Sequence, residues 1–255
     1  TVAYLGAALT SPDDLYFRNL GGTAIQHAEV GPGTGTLTTT VKLKSVAPAA
    51  GMIIVAFDFA VRRGRALVYS GDTNFGFFTK SALVNQVGIA GGKLMTPGAV
   101  ESAGPSGPVP IQSPFPDAML RMVDSIAWCT TECGPKGLGS VEGRSRVNPD
   151  AWFFKAHFYQ DPVWPGSLGL ESLVQLMKVY AHHRWGDPTA GWQAMALGQE
   201  HKWAYRGQIV PTATEVTIQA YITEVDHARR FVRADGLLAA DGRVIYRMSD
   251  FTLHG

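Results

Sequence analysis

Phe153-Phe154-Lys155-Ala156-His157-Phe158-Tyr159-Gln160-Asp161-Pro162-Val163-Trp164-Pro165-Gly166-Ser167-Leu168-Gly169-Leu170-Glu171 is the run on which the fold turns. Its first part, Trp152 to Tyr159, is rich in aromatics and predicts a strand. Asp161-Pro162 and Trp164-Pro165-Gly166 end that strand, since neither proline can donate to a ladder and each pushes its predecessor towards extended backbone. From Ser167 to His183 the pattern turns helical. Leu168, Leu173, Leu176, Met177 and Tyr180 recur on one face, and Val174 and Val179 widen the stripe until it nearly surrounds the helix. Such a helix is predicted to be buried.

Polar residues in a buried helix are informative. Glu171 is the one acid in its body, and a carboxylate among apolar neighbours must be paired, protonated or in use. Gln175 follows one turn later on the same face, within hydrogen-bond reach of that carboxyl or of a ligand. Pro165-Gly166-Ser167 leaves free backbone N–H groups at the helix N-terminus, pointing towards His157 and suited to a developing oxyanion. Read alone, His157 is more often a hydrogen-bonded core histidine and Gln175 a structural amide; base, acid and dipole on one unit shift that balance.

The run His157-Phe158-Tyr159-Gln160-Asp161-Pro162-Val163-Trp164-Pro165-Gly166-Ser167-Leu168-Gly169 resembles the active-site segment of the hot-dog β-hydroxyacyl carrier-protein dehydratases, with an HF-x-x-DPV-x-PG-x-LG pattern. The likeness is nearest to the tandem dehydratase domains of polyunsaturated fatty acid and polyketide-type synthases. It implies His157 as general base, Glu171 at the position of the family's catalytic Asp or Glu, Gly166 as the N–H donor to the thioester oxygen and Val163 as the carbonyl orienting the histidine. Phe154, Phe158, Trp164, Ser167 and Leu168 are the expected tunnel lining, a core role being as compatible with the aromatics. The decenoyl branch of the family carries Cys where this chain has Ser167 and Asp where it has Glu171, which leaves double-bond isomerisation open.

With 255 residues, 45% hydrophobic, the chain can bury a sizeable core, and 22 basic against 21 acidic residues give no field for nucleic acid or membrane. No apolar run is long enough to span a bilayer and no signal-peptide pattern opens the chain, so a cytoplasmic protein is expected, and the initial Thr suggests an excised fragment. Cys129 and Cys133, expected on one face of one strand, read as free thiols, and no metal constellation or dinucleotide loop occurs.

Along the chain, Thr1 to Thr10 reads as the end of an apolar helix. Strand-like runs follow at Leu15 to Ile25, Thr36 to Val46, Met52 to Val61 and Arg65 to Phe78, and a short helix at Ser81 to Gly88. A Pro/Gly-rich linker leads to a short helix at Pro116 to Leu120 and strands at Met122 to Glu132 and Gly137 to Arg146. After the central helix come Ala194 to Gln208, Glu215 to Val225, Phe231 to Ala240 and Arg243 to Leu253, the last two joined by the hairpin signal Asp241-Gly242. Helix then four strands thus occurs twice, and Gly64-Arg65 with Asp72 is echoed at the same spacing by Gly242-Arg243 with Asp250.

The expected fold is α+β, a double hot-dog: a long central helix wrapped by a bent antiparallel sheet, two units side by side. Residues 1–88 would be the C-terminal part of a first unit, 89–115 the linker and 116–255 a complete second unit. The resemblance implies dehydration of β-hydroxyacyl thioesters to 2-enoyl products in a multidomain synthase. No cofactor is expected, the substrate arriving on the phosphopantetheine of an acyl carrier protein. In the family the histidine of one unit faces the acid of its neighbour, so His157 would meet an acid located before Thr1, or Glu171 of a second copy. Arg206, Arg229, Arg230 and Arg233 are candidate carrier contacts, a solvated rim being the commoner reading, and His182 and His183 are expected to complement the helix dipole. A hot-dog thioesterase and a non-catalytic docking or dimerisation module are the alternatives.

Overall fold

The computed structural model describes residues 6–49, 51–96, 98, 105–109, 118–158, 160–188 and 191–255. Its strands are β1 (Tyr16–Gln26), β2 (Thr38–Ala49), β3 (Met52–Arg63), β4 (Ala66–Phe78), β5 (Gly107–Pro108), β6 (Ser125–Thr130), β7 (Ser140–Arg146), β8 (Gln193–Ala194), β9 (Glu200–Tyr205), β10 (Glu215–Asp226), β11 (Phe231–Ala240) and β12 (Arg243–His254). The α-helices are α1 (Lys80–Val84), α2 (Trp152–Ala156) and α3 (Gly166–Trp185). The strands form a 12-stranded sheet of order β2-β3-β4-β1-β9-β12-β11-β10-β7-β6-β5, with β8 beside β12. Every pairing is antiparallel.

The groups β1–β4 and β9–β12 have the same internal order, mirrored about the β1–β9 pair, whose register runs from Gly21↔Ala204 to Ile25↔Glu200. The hairpins also correspond: β3 turns into β4 through Gly64 at φ 58°, and β11 into β12 through Asp241 and Gly242 at φ 46° and 80°. Left-handed backbone at both turn residues is what an Asp-Gly hairpin requires.

α3 lies against β6, β7, β10, β11 and β12. Leu173, Leu176, Met177 and Tyr180 are fully buried against Val216, Ile218, Ala220 and Ile222 of β10 and Val232, Ala234 and Leu238 of β11, each strand contributing alternate residues. The approach is close: a Cβ on Gly236 would lie 2.6 Å from Leu173 Cδ1. The β1–β4 group has a separate, smaller cluster of Ala7, Val55, Phe57 and Phe77. Among the described residues no helix is long and apolar enough to cross a membrane.

Several local expectations need correction. Trp152 to Tyr159 is not a strand: α2 covers its first five residues and His157 follows as its C-cap, with Tyr159 outside the described residues. The aromatic run is explained by packing, since the tilted Phe153 and Phe154 rings meet at 4.9 Å and Phe153 meets Trp164 at 4.7 Å, overriding strand propensity. Cys133 lies beyond β6 in a turn, so the two free cysteines do not share a strand face. Ala194 to Gln208 is broken into β8 and β9 around Gly198 at φ 74°. The expected helices at Thr1 to Thr10 and Pro116 to Leu120 lie partly outside the described residues, and what is described there is 3-10 turn at Ala7–Thr10 and Ala118–Leu120. In the linker, the Gln219 side chain straps Met95 to the sheet through bonds of 2.7 Å from the Met95 N–H and 2.8 Å to its carbonyl.

Candidate active site

Between α2 and α3 the chain makes a short loop that carries His157 at one end and the start of α3 at the other. His157 Nδ1 lies 2.9 Å from the Val163 carbonyl. A carbonyl only accepts, so in the neutral ring Nδ1 holds the proton and Nε2 carries the lone pair. The loop is fixed from outside. Arg18 of β1, 8% exposed, forks onto Asp161 with bonds of 2.5 and 2.8 Å, and its Nε donates to Gln208 Oε1 at 2.7 Å. Trp164 N–H donates to the Ile209 carbonyl at 2.9 Å. Such a bidentate pair sets orientation as well as distance.

His157 opens into a cleft of about 410 Å³ where the two strand groups meet. Val163, Trp164, Gly166, Ser167 and Leu170 form one wall, with Phe158 beside His157 at a ring separation of 4.0 Å. Phe17, Arg18, Asn19 of β1 and Tyr69, Phe75 of β4 supply the facing wall. His201, Trp203, Tyr205 and Tyr246 complete it from β9 and β12. The Tyr69 hydroxyl is 3.0 Å from His201 Nε2, and their rings stack across β1. Burial lowers the His201 pKa, against the opposing pull of the Gln199 backbone and Glu200, and raises that of Tyr69 to about 12. Gly166 is glycine because the Tyr205 ring rests on the first turn of α3, 2.7 Å from where a Cβ would stand.

Of the expected site residues, the cleft therefore gathers His157, Phe158, Val163, Trp164, Gly166 and Ser167. Four lie outside its lining. Phe154 is buried against Trp164, Leu168 packs on the main core, and Gln175, fully buried, accepts from Met122 N–H at 2.9 Å and donates to the Leu120 carbonyl at 2.8 Å. Glu171 is half-buried and accepts from Gln175 at 3.0 Å. Among the described residues no Asp or Glu lines the cleft. Arg18, Tyr69, His201, Tyr205, Gln208 and Tyr246 were not singled out from sequence for this site; the signal available for Arg18 was Asp161, an acid inside an otherwise apolar loop that needs a cation.

The candidate carrier arginines lie elsewhere. Arg206 donates to the Leu20 and Tyr205 carbonyls, both at 2.7 Å. Arg229 and Arg233 border a larger groove of about 730 Å³ along Met195 to Leu197, where Glu224 and Gln199 hold Arg233 at 3.0 and 2.9 Å. That groove contains none of the histidine loop, so the smaller cleft is the candidate site. His182 pairs with Asp187 at 2.9 Å beside the C-terminus of α3.

Two solved structures share the fold: a tesB protein of Mycobacterium avium subs paratuberculosis, at TM-score 0.55 and 14% identity over 99% of this chain and 84% of that one, and a MaoC-like dehydratase, at TM-score 0.50 and 13% identity over 97% and 77%. The fold is the hot-dog fold. In sequence, the chain is 30% identical over 277 residues to a polyunsaturated fatty acid synthase polypeptide of Thraustochytrium sp., covering 96% of this chain but 18% of the relative's length. The FabA-like domain model matches residues 115–249, more than half of the chain, through the histidine loop, α3, β9 and part of β12, and the chain accordingly belongs to the FabA-like family.

Proposed function

We propose that the chain dehydrates β-hydroxyacyl thioesters to 2-enoyl thioesters within a synthase of the polyunsaturated fatty acid type. The observation that carries this reading is His157: its Nε2 lone pair is free for a proton because Nδ1 is committed to the Val163 carbonyl, and it shares a cleft with the start of α3. His157 takes the Cα proton, and the N–H of Gly166 receives the charge that develops on the thioester oxygen. The departing hydroxyl takes a proton from a carboxylic acid, so base and acid each move one proton and water leaves.

We further propose that residues 1–88 are the C-terminal part of a first hot-dog unit, joined by 89–115 to a complete second unit at 116–255, and that the acid opposite His157 is the counterpart of Glu171 on a helix covering β1–β4. Two observations support it: the strand groups share one order while only one is filled by a long helix among the described residues, and Glu171 is held by Gln175 outside the cleft. A second copy of the chain or another segment of the assembly supplies that helix. The substrate comes on the phosphopantetheine of an acyl carrier protein, with other synthase domains as neighbours.

The test is turnover of a β-hydroxyacyl thioester followed by enoyl absorbance across protein concentrations. His157→Ala is expected to lose about 10²- to 10⁴-fold. Thiol release without enoyl product would replace this reading by a thioesterase, and carrier binding with no turnover by a docking module. The position of the product double bond reports isomerisation.

A further inference from the structure

We propose that the Tyr205 hydroxyl is a second hydrogen-bond donor to the substrate's thioester oxygen, paired with the Gly166 N–H at the start of α3. The inference rests on the dehydration reading and adds a residue to it. Tyr205 closes β9, and its ring lies against the first turn of the helix. A Cβ on Gly166 would be 2.8 Å from Tyr205 Cζ and 3.0 Å from its Oη. Helical Cβ atoms tilt towards the N-terminus, so the hydroxyl sits at the end where the first N–H groups have no acceptor within the helix.

The hydroxyl is also uncommitted. Tyr205 is 7% exposed, lines the cleft with His157, and among the described residues its Oη has no hydrogen-bond partner. The hydroxyl is not sealed from solvent, so it stands at the cleft wall as a donor with no protein acceptor to compete with a ligand. The neighbouring Tyr246 ring, 4.4 Å away, holds the Tyr205 ring in place. Burial pushes the phenol pKa well up, with Tyr246 and Tyr69 adding to the shift, so the group stays a neutral donor. A donor at a helix N-terminus, opening into the histidine's cleft, fits an acyl thioester whose oxygen gains charge as Cα loses its proton.

Tyr205→Phe keeps the ring and removes the donor. With a β-hydroxyacyl thioester, kcat is expected to fall about 10²-fold. KM and the thermal midpoint should hold, and the acidic limb of the pH profile should stay where it was. A Tyr205→Phe enzyme within twofold of the parent, or one with raised KM and unchanged kcat, overturns the inference. His157→Ala run alongside separates the two claims: if it stays active the dehydration reading fails, whereas a silent His157→Ala beside a fully active Tyr205→Phe removes Tyr205 alone. Fluorinated tyrosine at position 205 retains ring and hydroxyl but ionises at lower pH. Because burial keeps that hydroxyl protonated, the fluorinated enzyme should keep most of the parent's kcat where Tyr205→Phe does not, and a fluorinated enzyme as slow as Tyr205→Phe overturns the proposal.

Discussion

The two strand groups β1–β4 and β9–β12 are alike in order and unlike in what they enclose. Around β9–β12 a continuous core joins α3 to β6, β7, β10 and β11, with Leu173, Leu176, Met177 and Tyr180 fully buried. Beside the β1–β4 group, the apolar cluster among the described residues has four buried members, Ala7, Val55, Phe57 and Phe77. Turn chemistry and alternation suffice to set strand order, as the paired hairpins at Gly64 and Asp241-Gly242 illustrate, but a rigid interior comes from filling the sheet's concavity. The cleft takes something from each group. His157 and the start of α3 are anchored on the filled side, while Phe17, Arg18, Tyr69 and Phe75 close it from the other.

If that contrast is energetic and not merely geometric, truncating the two cores must have unequal effects. Leu176→Ala, in the centre of α3, should cost about 2–5 kcal/mol, as for Leu→Ala changes in close-packed interiors. Phe57→Ala removes a larger side chain from a smaller cluster whose surroundings can collapse, and its cost should fall below the roughly 3–5 kcal/mol usual for buried phenylalanine. Urea denaturation of both variants checks the order. Equal or inverted costs would mean that the β1–β4 cluster carries more of the stability than its size suggests.

The link between the groups should show next. Arg18→Gln leaves Asp161 without its cation in a mostly buried loop, and breaking such a pair costs about 3 kcal/mol. Since Asp161 lies on the loop that ends at the Val163 carbonyl, turnover should fall together with stability. Adding Asp161→Asn to Arg18→Gln should recover part of both, and the double-mutant cycle reads the coupling. Additive losses would make the fork between β1 and the loop incidental.

Much of this organisation is legible in sequence. The helix expected at Ser167 to His183 is Gly166–Trp185, the strand-like runs fall within a few residues of β1–β4 and β10–β12, with the run at Ala194 to Gln208 split into β8 and β9, and the Asp-Gly hairpin is where its turn chemistry puts it. What escapes is whatever distant contacts decide. Trp152 to Phe158 has an aromatic content that suits strand or helix, and contact with Trp164 decides for α2. Arg18 and Asp161 are 143 positions apart, so neither residue's neighbours announce the pair. Glu171 looks buried from its apolar flanks, but a helix that nearly fills its sheet still has one open side, and Glu171 is half-buried beside Gln175. Tyr205 and His201 read as ordinary strand residues until β9 is placed against β1.

The smallest expected effect tests the seam itself. His201, 4% exposed on β9, meets Tyr69 of β4 over the small residues of β1. Burial holds its folded-state pKa below the unfolded value of about 6.5, so below that pH the unfolded chain binds the proton more readily. Its contribution is thus complete above about pH 6.5 and is lost as pH falls towards the lowered folded-state value. Between pH 7.5 and 5.5 this amounts to at most about 1.4 kcal/mol, or roughly 4 °C in thermal midpoint for a chain of this size. His201→Asn should flatten the acid side of the midpoint–pH curve by up to that amount. A variant whose curve runs parallel to the parent's would show that His201 is already solvated at the seam, and that the two strand groups meet there more loosely than their shared cleft requires.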